Sequence, residues 1–363
     1  MNDELQQKLS VVRTQIDAID GQLLDLLNRR ARCALQVGEI KAQHGEAGFI
    51  YRPEREAQVL RRIQEINPGP LSNDSVIWFF RQVMSACLSL EQPLGIAFLG
   101  PLGTFSEIAA TKHFGHAAHL MPQISIDDVF REVEACHANY AVVPIENSTE
   151  GAIGRTLDLL LNTPLKICGE VVLRINQHLL SKESSLDSIT KVYSHTQSLA
   201  QCHEWLNRSL PNAQRISVGS NAQAAQLAAS EVGAAAIAGE AAGERYQLPQ
   251  LASSIEDEPN NTTRFVVLGR QDAGVSGRDK TSLVMSAHNR AGALNHLLAP
   301  FADAGVSMTR LESRPARHTL WEYMYFVDIE GHRDEAAVAS ALAELGRRAA
   351  YLKVLGSYPV AVY

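Results

Sequence analysis

A chain of 363 residues is too long for one small core and implies two or three domains. With 45% hydrophobic and 20% charged residues it has the balance of an ordinary soluble protein, which excludes a disordered or membrane-embedded chain. A net charge of −7, with no basic segment, argues against nucleic-acid binding, which needs a cationic face to displace counterions from phosphates. The five cysteines, Cys33, Cys87, Cys136, Cys168 and Cys202, form no C-x-x-C pair, so no disulfide framework, zinc site or other metal or cofactor is expected. The opening Met1-Asn2-Asp3-Glu4 has neither the basic nor the apolar region of a signal peptide, and every long apolar run is interrupted by charge. A cytoplasmic protein without a membrane span is expected.

Apolar residues at Leu9, Val12, Ile16, Ile19, Leu23 and Leu26, then Cys33, Val37 and Ile40, form a heptad seam that predicts one long helix over 9–40. At 1.5 Å per residue it runs roughly 48 Å, longer than a small domain is wide, so a partner chain is expected to cover its apolar stripe. Further helices are predicted over 53–66, with proline in the first turn, and over 74–90. From Pro93 the rhythm changes. Short β-type runs at 95–99, 140–143, 171–173, 191–194, 216–219, 234–238 and 265–268 alternate with helical stretches, enough for two α/β lobes around a cleft. A loop over 271–279 precedes strand 282–287, helix 291–304, strands 306–313 and 320–329, helix 334–346 and strand 351–356, the order of a ferredoxin-like module. The expected fold is therefore multidomain: an all-α helical module (1–92), a two-lobed α/β domain (93–271) and a ferredoxin-like α+β domain (280–358).

Arg30 stands where the heptad calls for an apolar residue, and a guanidinium there needs an anionic partner, either an acidic side chain or a ligand. At ~100° per residue, Arg30 and Lys41 fall within about 20° of one helical face. With Arg13 and Arg55 they offer cations suited to a small dicarboxylate, because arginine forks match carboxylates two bonds at a time. Salt bridges to Glu39, Glu54 or Glu56 are the alternative. In the middle segment, Leu99-Gly100-Pro101-Leu102-Gly103-Thr104 leads a strand through glycines into a helix start, a geometry that can bind anions. Polar groups end the strands at 143–148, 194–198 and 261–265; these suggest one shared cleft, with helix capping as the routine alternative. Neither a Ser/His/Asp order nor a dinucleotide fingerprint is found, which disfavours triad hydrolysis and hydride transfer.

Residues 1–92 resemble the all-helical chorismate mutase family: Arg13 in V-R-x-x-I-D-x-I-D, Arg30 after L-L-N-R, Lys41 after V-G-E-I, and Arg52, Arg55 and Glu56 in Y-R-P-E-R-E. The resemblance implies two intertwined chains that both contribute cations to each site, and a pericyclic rearrangement of chorismate to prephenate. It assigns Lys41 as donor to the breaking ether oxygen and aligns Glu91 with a second donor. An ionised carboxylate cannot donate, so Glu91 is expected to be protonated, its pKa raised by burial and by the anionic substrate. Cys87 stands where some relatives carry a serine near a substrate carboxylate, with a packed core cysteine as the simpler reading.

Residues 94–270 resemble prephenate dehydratase through G-P-x-G-T-F-S-E, P-I-E-N-S, S-H-x-Q-x-L-A-Q-C and T-R-F. The resemblance implies loss of the ring hydroxyl and carboxylate of prephenate to give phenylpyruvate. Thr263 is then the donor to the departing hydroxyl, Glu146, Asn147, Ser194, Gln197 and Gln201 line the site, and Arg264 meets a substrate carboxylate or supports Glu146. Residues 280–358 resemble an ACT regulatory domain through Asn289-Arg290-Ala291-Gly292-Ala293-Leu294 and Glu312-Ser313-Arg314-Pro315. This implies feedback inhibition by phenylalanine, held at a subunit contact by Gly292, Ala293, Leu294, Glu312, Ser313, Arg314 and Pro315. Asn295 replaces the valine of the family's G-A-L-V.

Together the segments resemble the bifunctional chorismate mutase/prephenate dehydratases of phenylalanine biosynthesis, as a homodimer or larger. One competing reading is an amino-acid sensor or solute-binding protein with a helical dimerisation arm, which Arg30 in the seam and the T-R-F motif disfavour. Another, a dehydratase with an inert mutase arm, is left open by Cys87 and Glu91.

Overall fold

The computed structural model describes residues 2–44, 51–288, 290–315 and 323–362. α1 (Asn2–Gln43) is longer than the heptad predicts, because the helix continues outward through Leu5. α2 (Pro53–Ile66) starts on its proline, and α3 (Asn73–Glu91) is capped by Ser72, whose hydroxyl accepts from the Ser75 amide. α2 and α3 pack through Leu60, Ile77 and Met84. On α1, by contrast, Leu9, Val12, Ile16, Ile19, Leu23, Leu26, Val37 and Ile40 are all exposed in the single chain. Among the described residues no helix is long and apolar enough to cross a membrane.

The middle segment has two lobes. The first holds β1 (Gly95–Leu99), α4 (Phe105–Phe114), β2 (His119–Gln123), α5 (Ile126–Glu134), β3 (Tyr140–Asn147), the short β4 (Gly151–Ala152), α6 (Gly154–Asn162) and β5 (Lys166–Arg174). The second holds β6 (His178–Ser181), β7 (Lys191–His195), α7 (Thr196–Gln201), α8 (His203–Ser209), β8 (Gln214–Val218), α9 (Asn221–Ala228), β9 (Ala234–Ala238), α10 (Glu240–Tyr246) and β10 (Gln250–Ala252). The chain then returns as β11 (Thr262–Gly269) into the first sheet, between β3 and β5 and antiparallel to both. The sheet orders are β2-β1-β3-β11-β5 and β10-β6-β9-β7-β8.

Alternation alone misses β2, β4, β6 and β10. β2 is an edge strand interrupted by Pro122, and β6 is short and buried throughout, so neither shows a clean period of two.

The C-terminal module is β12 (Asp279–Ser286), α11 (Ala293–Asp303), β13 (Met308–Pro315), β14 (Tyr323–Glu330), α12 (Ala336–Arg348) and β15 (Tyr351–Pro359), with sheet order β13-β14-β12-β15. The part of the predicted strand at 320–322 lies outside the described residues. α11 and α12 cover one face through Leu297, Phe301, Val338 and Leu345. The other face shares a core with the first lobe: Val284, Phe326, Leu355 and Tyr358 pack with Ile167, Val266 and Leu268. Contact is close enough that a Cβ on Gly356 would lie 2.0 Å from the Ile167 carbonyl oxygen. The Lys353 ammonium seals the same contact, donating to the carbonyls of Leu160, Leu161 and Thr163 at the C-terminus of α6.

The stretch predicted as a loop over 271–279 is tied to all three modules. Gln271 donates to the Tyr51 carbonyl and to the Tyr140 hydroxyl of β3, Arg61 of α2 donates to the carbonyls of Ser276 and Arg278, and His332 bonds the Ala273 carbonyl.

Candidate active sites

In the helical module, α1 carries Arg13, Arg30 and Lys41. Arg30 is half-buried, Arg13 and Arg55 are exposed, and among the described residues these three arginines make no ion pair. Exposed Arg52 lies 4.0 Å from Glu54. The end of α3 brings Glu91 onto α1. A Cβ on Gly38 would lie 3.1 Å from Glu91 Cγ and Oε2, and Oε2 is buried without a hydrogen-bond partner among the described residues. Burial raises the Glu91 pKa, and Lys41 works against that rise.

Arg13 stands apart from this pair. At 1.5 Å per residue it is ~42 Å from Lys41 along α1, so the two cannot meet on one ligand within a single chain. Glu56, which the resemblance implies at the substrate site through Y-R-P-E-R-E, instead turns into the module. Its carboxylate lies 3.4 Å from Arg81 Nε and lines a small cavity with Tyr51 and His113, where burial raises its pKa against the pull of Arg81. The side chain falls on the face of α2 that packs inward. Cys87 is a packed core residue.

Between the two lobes lies a cleft of about 920 Å³, lined by Asn147, Gln197, Gln201 and Thr263 among others. The return of β11 beside β3 places Thr263 opposite Asn147 and Arg264 opposite Glu146. Successive side chains on a strand point to opposite faces, so Thr263 and Asn147 face the cleft while Arg264 and Glu146 face the C-terminal sheet. This corrects the expectation that Glu146 lines the site with Asn147 and Thr263; of the two roles expected of Arg264, the geometry fits support of Glu146, whose carboxylate lies 3.8 Å away, and not contact with a substrate carboxylate. Arg264 also binds Glu170, Asp328 and Tyr358, and Glu146 binds Arg310. Ser194 is likewise fully buried beneath the cleft floor. Its hydroxyl is bonded to Asn221 Oδ1 and the Ile237 carbonyl, so it orients Asn221 and does not line the cleft itself.

Asn147 has a fixed orientation. Its Oδ1 accepts from the Thr149 amide at 3.1 Å, the Thr149 hydroxyl at 2.6 Å and the Glu150 amide at 3.2 Å. The amide Nδ2 must therefore point the other way, where it donates to Asn261 Oδ1 and to Thr263 Oγ1, both at 2.8 Å. Thr263 thus accepts from Asn147, and its own hydrogen has no other partner among the described residues. A hydroxyl that accepts one hydrogen bond donates a stronger one. Asn261 donates in turn to Gln201 Oε1 at 3.0 Å, joining the first lobe to the second.

The glycine-rich turn borders the cleft, and part of its backbone is already bonded: the Gly100 amide donates to the Gln123 carbonyl, the Gly103 amide to Glu107, and the Glu107 amide to the Thr104 hydroxyl that caps α4. Sequence reasoning missed Asn221 and Arg245, and read Asn261 only as part of the polar stretch 261–265. Arg245, exposed on α10, is the one lysine or arginine that lines the cleft among the described residues. Nothing in its sequence context distinguishes it from a solvated helix residue.

In the C-terminal module, Gly292 has a φ of +74°, which glycine alone adopts without strain, and it precedes Ala293 and Leu294 in the first turn of α11. The ends of β12 and β13 lie on either side of β14, where Met285 and Ser313 both pair with Tyr325, so both expected effector motifs reach one end of the sheet. Glu312 is half-buried, and Ser313 and Pro315 are exposed. Arg314 departs from the expectation: its guanidinium docks on α6, 3.3 Å from Asp158 and against Gly154. Asn289 lies outside the described residues.

Family models match along the chain in sequence: chorismate mutase type II over residues 12–92, prephenate dehydratase over 96–273 and the ACT domain over 281–347. A bifunctional chorismate mutase/prephenate dehydratase of Neisseria gonorrhoeae is 56% identical and spans 100% of both chains. That of Pseudomonas aeruginosa is 50% identical over 98% of this chain and 99% of its own. Among solved structures, a prephenate dehydratase from Arthrobacter aurescens in complex with L-Phe is 34% identical, covers 73% of this chain and 90% of its own, and has a TM-score of 0.68.

Proposed function

Because this chain belongs to the bifunctional chorismate mutase/prephenate dehydratase family, we propose that its two sites run consecutive steps of phenylalanine biosynthesis and that the C-terminal module reads the end product. The domains divide as 1–92, 93–271 and 280–358. In the first, Arg13, Arg30 and Arg55 hold the two carboxylates of chorismate in the folded geometry that the rearrangement needs, with Arg52 at the rim. Lys41 and protonated Glu91 donate to the ether oxygen as charge develops on it. The distance along α1 requires Arg13 to come from a second copy, and the exposed seam of α1 is the surface that copy covers, so the enzyme is a homodimer or larger.

In the second domain, prephenate occupies the cleft. The electrons of its ring–carboxylate bond enter the ring as carbon dioxide leaves, and the ring hydroxyl departs as water after taking up one proton, giving phenylpyruvate. Hydroxide is a poor leaving group, so a donor aimed at that oxygen is the main requirement, and the Thr263 hydroxyl supplies it. Asn147, Gln197 and Gln201 position the substrate, and Arg245 offers the cation for a carboxylate. The observation that carries this reading is the Asn147 amide, which takes up the Thr263 oxygen and leaves its hydrogen to the cleft. Phenylalanine binds where Gly292–Leu294 meets the end of β13 and inhibits. The enzyme works in the cytoplasm with no metal or coenzyme.

The test is to incubate purified protein with chorismate, follow prephenate and phenylpyruvate separately, and repeat with phenylalanine. Both products form in turn and phenylalanine suppresses the second. Product-free incubations would point to an amino-acid sensor, and turnover of added prephenate alone to an inert mutase arm.

A further inference from the structure

Thr263 and Arg264 are chain neighbours that serve different domains. Arg264 Nε lies 2.8 Å from Glu170 Oε2 of β5, Nη1 reaches Asp328 Oδ2 of β14 at 2.5 Å, and Nη2 donates to the Tyr358 hydroxyl of β15 at 2.8 Å. The Arg264 side chain is 13% exposed and each of these carboxylates 3%. Ser282 of β12 completes the cluster, donating to Asp328 Oδ1 at 2.5 Å and lying 2.7 Å from the Tyr358 hydroxyl. The paired strand repeats the arrangement. Asn147 faces the cleft, while Glu146 beside it accepts from Arg310 Nε of β13 at 3.0 Å.

A buried guanidinium with carboxylate partners cannot swing to solvent without stranding those charges, so its position is dictated by theirs. The peptide unit that joins it to Thr263 is planar and stiff, and passes any displacement to the neighbouring Cα. A hydroxyl that must aim at a leaving group tolerates little such movement.

We propose that Arg264 is a positioning residue, anchored by Asp328 and Tyr358 of the C-terminal sheet, through which that sheet fixes the aim of the Thr263 hydroxyl and thereby sets dehydratase turnover. This rests on the reading of Thr263 as the donor. It assigns to the T-R-F arginine a role between domains, in place of contact with the substrate.

The experiment uses the full chain and both activities, with the mutase rate as the internal measure of folded protein. Asp328→Asn removes a charge from the cluster at nearly constant shape, and Tyr358→Phe removes one hydroxyl while keeping the ring that fills the shared core. The dehydratase kcat falls about tenfold and about threefold respectively, the prephenate KM stays within about twofold, and mutase kcat is retained. Asp328→Glu recovers most of the lost rate. A direct substrate contact by Arg264 predicts the opposite split, a raised KM at constant kcat. That split, or unchanged kinetics in both variants, overturns the proposal. If Asp328→Asn unfolds and both activities vanish, Tyr358→Phe decides by the same measurement. Thr263→Ala is assayed alongside, and dehydration that survives it would refute the donor assignment itself rather than the coupling.

Discussion

Asn147 Nδ2 donates to Thr263 Oγ1 at 2.8 Å across the antiparallel pair of β3 and β11, and three hydrogen bonds onto Asn147 Oδ1 hold the amide in that sense. The direction of this bond decides what the threonine can do. An acceptor toward Asn147 is a donor toward the cleft.

Reversing that polarity tests it. Asn147→Asp keeps the size of the side chain but replaces the donor with a carboxylate, which takes the Thr263 hydrogen for itself. Dehydratase kcat is expected to fall on the order of a hundredfold, the range seen when one aimed donor is lost. Mutase kcat, measured on the same sample, stays constant.

Mutase turnover is expected to depend on pH through Glu91. Burial holds its pKa above the ordinary carboxyl value, so the protonated, donating form persists to higher pH than it would in water. Turnover is highest below the raised pKa and falls as pH rises through it, and Glu91→Gln flattens that limb. Stability follows the same sign. Between the unfolded and folded pKa values the native state binds the extra proton, so the contribution of Glu91 is full at lower pH and declines as pH rises. Chemical denaturation across that window measures it.

Arg13 and Lys41 can be tested by mixing chains. If each mutase site takes Lys41 from one copy and Arg13 from the other, Arg13→Ala and Lys41→Ala are each inactive alone. Unfolded together and refolded at equal concentration, they regain about a quarter of wild-type mutase activity, since half the dimers are mixed and each holds one intact site. Activity that stays at the level of the single variants would mean that each chain builds its own site.

The contact at Gly356 is a prediction about stability. Alanine there would place a methyl group on the Ile167 backbone, and neither strand can move without opening the core around Tyr358. Gly356→Ala is expected to cost about 3 kcal/mol, the upper range for overpacking. Urea denaturation followed by tryptophan fluorescence reads it, and an unchanged midpoint would contradict the close packing described.

What could be read from the sequence was whatever depends on local spacing. The heptad predicted α1 and its long apolar face, Pro53 marked the start of α2, and the runs at 95–99 and 234–238 are β1 and β9 within the same bounds. Motif resemblance named the chemistry and picked out Thr263 and Asn147. Tertiary structure alone decided which motif residues share a site. Glu146 and Asn147 are adjacent in sequence, as are Thr263 and Arg264, and nothing local tells which member of each pair turns to the cleft. That choice was made when β11, more than 80 residues after β5, returned between β3 and β5, because the register of that pairing fixes the face of every side chain on the strand. Arg245 was invisible for the same reason, since a cation on an exposed helix acquires meaning only when folding brings a cleft to it.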